Sequence, residues 1–151
     1  MKYPLIFASI IVTLLIAACS KDKFTTAPQV KVKSVSPETV MKGQIITFTS
    51  SFTDDEGDVQ DSVLIVFKRY NGATILTTDT TLRLKLDPGQ IPKERQGDII
   101  LKFGYGELIN GTYLINLETA DIEASLGIII RDNAGHWSNY SESDKFTLKK
   151  L

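Results

Sequence analysis

The sequence predicts an all-β protein folded as an antiparallel β-sandwich of seven or more short strands. Beyond residue 29, apolar and polar residues alternate over most of the chain, which is the period of a half-buried strand. Turn-forming residues interrupt these runs at short intervals, and no segment has the spacing of an amphipathic helix. Short strands joined by turns, without helices, are typical of two packed sheets.

The first two predicted strands lie on either side of a turn at Gly43. The dipeptide Ser36-Pro37 ends the first strand, because proline has no N–H for a ladder hydrogen bond. The second strand covers residues 44–52. In each strand, alternate apolar side chains share one face: Val30, Val32 and Val35 in the first, and Ile46, Phe48 and Phe52 in the second.

A central strand is predicted over residues 61–70, because both of its faces are apolar, as in a strand that is covered on both sides. One face carries Val63, Ile65 and Phe67, and the other carries Leu64 and Val66. Asn71-Gly72 then predicts a tight turn into residues 74–78. A strand with one wet face follows at residues 82–86 and ends at Asp87-Pro88-Gly89.

The C-terminal half begins with an exposed loop at residues 90–97 and a strand at 98–105. Asn110-Gly111 predicts a hairpin into a strand over residues 113–117, and residues 118–123 fit one helical turn equally well. An isoleucine-rich buried strand and a closing strand complete the sandwich. They cover residues 124–131 and 145–148, and the second directs Phe146 and Leu148 inward.

The N-terminal segment has a basic start, Met1-Lys2, and about fourteen mostly apolar residues, fewer than the about 20 that a spanning helix needs. The run ends in Ile16-Ala17-Ala18-Cys19, two small residues before the only cysteine of the chain. This segment resembles the signal peptide and lipobox of bacterial lipoproteins. The resemblance implies that the signal is cleaved before Cys19, and that this cysteine receives a diacylglycerol thioether and a further acyl chain such as palmitate.

This processing defines the predicted domain organisation. Residues 1–18 are the lipoprotein signal peptide, 19–28 are the lipidated cysteine and a flexible tether, and 29–151 are one sandwich domain. Two or more acyl chains hold a protein stably on a membrane. Because Ser20 follows the cysteine, the same resemblance implies the outer membrane of the cell envelope, with the domain facing the periplasm or the cell surface.

Composition excludes several classes of partner and cofactor. The chain has 17 basic and 18 acidic residues without a basic stripe, so no nucleic-acid partner is predicted. One cysteine permits no intramolecular disulfide, and one histidine and one cysteine are too few for a zinc site. No cofactor is predicted other than a structural calcium ion.

Two loops flank predicted strands and carry distinctive residues. Their sequences are Phe52-Thr53-Asp54-Asp55-Glu56-Gly57-Asp58 and Arg131-Asp132-Asn133-Ala134-Gly135-His136-Trp137-Ser138-Asn139. Over residues 29–149 the chain thereby resembles bacterial extracellular immunoglobulin-like domains, including fibronectin-III-like, cadherin-like and PKD-like sandwiches. It departs from antibody-type domains because it lacks the two core cysteines of their inter-sheet disulfide.

An immunoglobulin-like strand order implies that these two loops emerge at the same end of the sandwich. The side chains of Asp54, Asp55, Asp58 and Asp132, with backbone carbonyls, would then supply oxygen ligands to calcium, which takes six to eight. The alternative is that these residues only stabilise turns, because aspartate side chains accept hydrogen bonds from nearby backbone amides. The sequence leaves both interpretations open.

Exposed aromatic residues are candidates for stacking on a ligand. The candidates are Trp137 and Tyr140, and the tyrosines at 105 and 113 are further exposed rings expected from the sequence. The alternative role of Trp137 is to cap one end of the core, and tyrosines on a sheet more often serve packing.

Catalytic chemistry is not predicted. The only histidine, His136, lies so close in sequence to Asp132 and Ser138 that a relay between them is not expected. Three glutamates at positions 107, 118 and 123 lie in the region with the weakest pattern, but a small sandwich offers little cleft for a two-carboxylate glycosidase.

The sequence therefore predicts a membrane-anchored, non-catalytic binding or display module with a protein or polysaccharide partner. A carbohydrate partner predicts a coplanar row of exposed aromatic rings. A first alternative, a structural spacer or assembly subunit of an envelope complex, predicts an unpaired edge strand. A second alternative, a small glycan-processing enzyme, predicts a carboxylate pair or a histidine relay in a pocket.

Overall fold

The computed structural model describes residues 25–59, 62–84 and 93–150, which form two β-sheets and no helix. In chain order the strands are β1 (Gln29–Ser36), β2 (Thr39–Val40), β3 (Ile45–Thr53), β4 (Ser62–Asn71), β5 (Thr74–Leu84), β6 (Gln96–Tyr105), β7 (Tyr113–Ile115), β8 (Ile122–Arg131), β9 (Ser141–Glu142) and β10 (Phe146–Leu148). The predicted all-β sandwich is confirmed, and its arrangement is consistent with an immunoglobulin-like fold.

The strands divide into two sheets that face each other across the core. One sheet has the order β1-β3-β6-β7, and the other has the order β2-β10-β8-β4-β5 with β9 paired to β8. Most pairs are antiparallel, as predicted, but β2 with β10 and β6 with β7 are short parallel pairs. No helix long and apolar enough to cross a membrane occurs among the described residues. The predicted signal peptide and Cys19 lie outside them.

The apolar alternation of the sequence corresponds closely to the core. Most of the side chains expected on the inner faces are buried, including Ile46, Phe48, Val63, Ile65, Leu126, Ile128, Phe146 and Leu148. The central strand β4 lies between β5 and β8, and its residues Val63, Ile65, Val66 and Phe67 are all buried. This burial on both faces explains why both faces of that strand are apolar.

The segment after β6 differs from the prediction. The predicted hairpin at Asn110-Gly111 is wrong, because β7 runs parallel to β6 with Phe103 opposite Tyr113. Gly106 has a φ of 73°, and its N–H donates to the carbonyl of Ile115 at 2.8 Å. The chain thus folds back beside β6 through a loop, which a turn signal at one dipeptide does not reveal. The alternative helical turn at residues 118–123 is also absent, since β8 begins at Ile122.

Tyr105, expected to be exposed, is fully buried. Its hydroxyl donates to the carbonyl of Lys149 at 3.2 Å and accepts the N–H of Glu118 at 3.1 Å. These two partners satisfy the phenol within the core, which makes its burial favourable. Tyr105 therefore connects the end of β6 to the C-terminal residues and is not available to a ligand.

The outer edge of β1 is closed by side chains from the segment around β9. Asn139 accepts the N–H of Val30 and donates to its carbonyl, both at 2.9 Å. The hydroxyl of Ser141 accepts the N–H of Val32 at 2.9 Å. Side chains from one sheet's loop thus satisfy backbone groups of the other sheet, which holds this side of the sandwich closed.

Candidate functional site

The two acidic loops meet because of how β4 and β8 pair. These strands are antiparallel, with Ser62 at the start of β4 opposite Arg131 at the end of β8. The residues just before β4 and just after β8 must therefore lie side by side at one end of the sandwich. The N–H of Asn133 donates to the carbonyl of Asp58 at 3.3 Å, which joins the two loops directly.

Three of the four predicted calcium ligands converge at this end. Carboxylate oxygens of Asp54, Asp58 and Asp132 all lie within 4.8 Å of one another, and we call these three residues the acidic cluster. Asp54 and Asp132 are 0% and 1% exposed, respectively. Asp55 is not part of the cluster, because its carboxylate forms an ion pair with Arg95.

Hydrogen bonds fix the orientation of two of these carboxylates. Asp54 Oδ2 accepts the N–H of Asp58 at 3.1 Å, and Asp132 Oδ1 accepts the N–H of His136 at 2.7 Å. Both are turn-stabilising bonds of the kind that the alternative interpretation predicts. They leave the other oxygen of Asp54, Oδ1, buried without a hydrogen-bond partner, and Oδ1 of Asp58 is in the same condition.

The electrostatic environment of the acidic cluster disfavours charge on Asp58. Burial raises the pKa of its carboxyl above the ordinary 3.8, and the neighbouring carboxylates of Asp132 and Asp54 raise it further. Like charges at such short range repel, so the arrangement costs free energy unless a proton or a cation neutralises part of the charge.

Two of the three residues of the relay that was not expected, His136 and Asp132, are in contact. His136 Nδ1 lies 2.9 Å from Asp132 Oδ2, so the prediction that these side chains do not face each other is wrong. The turn at Asp132 to His136 is tight enough to bring the ring back onto the carboxylate, because Gly135 adopts a φ of 97°. Ser138, however, donates its hydroxyl to the carbonyl of Asn139 at 2.7 Å.

Trp137 and Tyr140 are both exposed, as expected, but both already contact basic side chains. The Arg131 guanidinium carbon lies 5.4 Å from the centre of the Trp137 ring. Tyr140 donates its hydroxyl to Glu142 at 2.8 Å, and its ring lies 5.0 Å from the Lys68 ammonium. The ring of Tyr140 also covers Gly127, where no Cβ would fit.

Tyr140 belongs to a partly buried polar network that the sequence did not reveal. Its members are Lys68, Tyr70, Ser125, Tyr140 and Glu142, and we call it the Glu142 network. Burial alone raises the pKa of Glu142, but hydrogen bonds from Lys68 and the three hydroxyls lower it to about 2. One signal was present in the sequence: Ser125 and Gly127 interrupt the apolar run of β8.

No protein-family model matches this chain, and no curated protein matches it. Among solved structures, the sporulation control protein Spo0M from Bacillus subtilis is similar, with 11% identity and a TM-score of 0.47. That match covers 84% of this chain and 51% of the other, so this chain spans about half the length of the Bacillus protein.

A Niemann-Pick type C2 protein from the Japanese carpenter ant is similar at 13% identity and a TM-score of 0.40. The match covers 85% of this chain and 98% of that chain. Neither similarity bears on what this chain binds.

Proposed function

We propose that this chain is a lipid-anchored, non-catalytic module of the cell envelope that displays its β-sandwich to a protein partner. The lipobox that ends in Cys19 carries the proposal, because a diacylated cysteine holds a protein stably on a membrane. The outer membrane is the proposed location, since Ser20 follows the cysteine.

The exposed aromatic side chains favour a protein over a polysaccharide. In the part of the chain that the structure describes, Trp137 and Tyr140 are the exposed aromatic residues, and they do not form a row along a sheet face. Tyr140 is held by the Glu142 network, and Trp137 lies against Arg131. A sugar platform needs flat rings that are free to stack, and these two are already engaged.

Two features support a non-catalytic role. Ser138 directs its hydroxyl to a backbone carbonyl, so the pair of His136 and Asp132 has no adjacent nucleophile from this residue. Glu118 is bound by Arg69 at 2.6 Å and Glu123 by Lys145 at 3.0 Å, so these two candidate carboxylates serve separate ion pairs. A glycosidase needs two such groups on either side of one cleft.

Metabolic labelling with an alkyne analogue of palmitate tests the anchor. We expect label on the wild-type protein and none on Cys19→Ser, which should also leave the membrane fraction. Ser20→Ala is the matched control, because it changes the neighbouring residue and keeps the lipobox. A wild-type protein that stays unlabelled, or equal label on Cys19→Ser, would contradict the proposal.

A second candidate function is that of an assembly subunit, which the edge strand β5 favours. Among the described residues β5 pairs with β4 alone, and it is 11 residues long. Ile75 and Leu76 on this strand are 50% and 54% exposed. A long edge strand with exposed apolar side chains is a template for an extended segment of another chain.

A photo-crosslinking residue placed at Leu76 in living cells tests this second candidate. We expect a discrete crosslinked species with another envelope protein from that position. Leu108 is the matched control, because it is an equally apolar residue, 71% exposed and outside the strands. The absence of crosslinks at Leu76, or equal crosslinking at both positions, would count against strand addition.

A further inference from the structure

We propose that Asp54, Asp58 and Asp132 bind one calcium ion, which ties the loop between β3 and β4 to the turn after β8. The proposal is independent of the lipid anchor and of the partner proposed above. It differs from the expectation based on sequence, because the carboxylate of Asp55 pairs with Arg95 and is not a ligand.

The buried oxygen of Asp54 is the observation that points to a ligand. Asp54 is 0% exposed, and its Oδ1 has no hydrogen-bond partner while Oδ2 accepts the N–H of Asp58. A buried charged oxygen without a partner is costly, and the cost is offset only by a donor or a cation. The turn therefore explains one oxygen of this carboxylate and leaves the other unexplained.

The surrounding charges identify the ligand as a cation. Oδ1 of Asp58 is also buried without a partner, and the carboxylate of Asp132 lies in the same group. Three carboxylates within 4.8 Å of one another repel strongly at low dielectric. Water would satisfy the oxygens but would not compensate the charge. A proton shared between the side chains of Asp58 and Asp54, which hydrogen-bond to each other, would remove only one of the three charges. His136 contacts Asp132 Oδ2 and neither of the two unpartnered oxygens.

The donor set favours calcium over other metals. All three ligands are carboxylates, and hard oxygen ligands suit calcium and magnesium better than zinc or copper. Loops supply the ligands, and calcium tolerates irregular geometry and completes its shell with backbone carbonyls and water. Magnesium demands a near-ideal octahedron and usually binds through only one or two carboxylates, so three clustered ones favour calcium.

Thermal unfolding of the full chain in detergent, after treatment with a chelator, tests the site. At calcium a hundredfold above Kd, we expect a rise in Tm on the order of 10 °C. Magnesium should give a much smaller rise. Asp54→Asn and Asp58→Asn should abolish the calcium response. Asp55→Asn should retain it, because the Asp55 carboxylate is not a ligand; it is the matched control, since it makes the same charge change in the same loop.

Asp58→Asn also distinguishes a loss of calcium binding from a general loss of stability. In chelator its Tm should equal or exceed that of the wild type, because the substitution removes repulsion from the acidic cluster. The proposal is overturned if calcium up to about 10 mM leaves the wild-type Tm unchanged. That concentration is roughly tenfold above the dissociation constants of the weakest extracellular calcium sites. The proposal is also overturned if Asp55→Asn abolishes the response, or if potassium chloride at equal ionic strength reproduces it.

Discussion

Replacing Gly127 with alanine tests whether the ring of Tyr140 is part of the folded core or a free surface group. A Cβ at position 127 would lie 2.6 Å from Cζ of Tyr140 and closer still to its hydroxyl oxygen. Real Cβ atoms do not approach other heavy atoms so closely, so the ring must leave. Its departure breaks the hydrogen bond to Glu142 and removes the ring from the Lys68 ammonium.

The expected cost follows from these two contacts. A hydrogen bond to a charged group contributes about 1.5–3 kcal/mol, and a cation–π contact at a partly exposed site contributes about 0.5–1 kcal/mol. Alanine in a strand gains roughly 0.5–1 kcal/mol over glycine through lower backbone entropy in the unfolded chain. Gly127→Ala should therefore lower the free energy of unfolding by about 2 kcal/mol.

Urea unfolding followed by circular dichroism, with a double-mutant cycle, measures this effect. Gly127→Ala should cost about 2 kcal/mol in the wild-type background and nothing, or a small gain, in Tyr140→Ala, where no ring is displaced. An equal cost in both backgrounds would refute the reasoning, because it would show that the glycine serves the backbone and not the ring.

Three further predictions concern polar groups of the fold. The pKa of Glu142 in the folded protein is lowered from 4.5 to about 2. Its ionised side chain therefore adds at most about 3 kcal/mol to the free energy of unfolding, which is present above pH 4.5 and lost as the pH falls towards 2. In Glu142→Gln, the free energy of unfolding measured in acid titrations should depend less on pH over that range. Tyr105→Phe should cost about 1–2 kcal/mol in urea unfolding, because the N–H of Glu118 loses its buried acceptor. Asn139→Ala should cost about 1–3 kcal/mol and speed amide exchange at Val30, whose N–H and carbonyl both lose their partner.

The parts of the fold that the sequence predicted are those in which local pattern and burial agree. β4 and β8 are apolar on both faces because each is covered on both sides, and β3 alternates because one of its faces meets solvent. The segment from Gly106 to β7 was not predictable in the same way. Its position depends on a parallel pairing with β6, and no local signal encodes a parallel neighbour.

The candidate site was predicted in part for a similar reason. The proximity of Asp58 and Asp132 follows from the pairing of β4 with β8, which the expected strand order already contained. Asp55 is excluded from the acidic cluster by its ion pair with Arg95. Arg95 lies about forty positions later in the sequence, in a segment for which the sequence predicted only an exposed loop. The Glu142 network was missed because it joins side chains from β4, β8 and β9, and β9 is too short to give a periodic signal.

Turn stabilisation and cation binding were alternatives in the sequence, but they are compatible in the structure because they use different oxygens of Asp54. Oδ2 accepts the N–H of Asp58 and holds the loop, while Oδ1 remains for a ligand. Asp58 accepts no such bond through Oδ1, so its carboxylate has no turn to stabilise through that atom. Asp54→Asn therefore alters both the oxygen that accepts the N–H of Asp58 and the proposed cation site, whereas Asp58→Asn leaves that hydrogen bond in place because its donor is a backbone N–H. The difference between the two variants in chelator measures what the bond to Asp54 Oδ2 contributes to the loop.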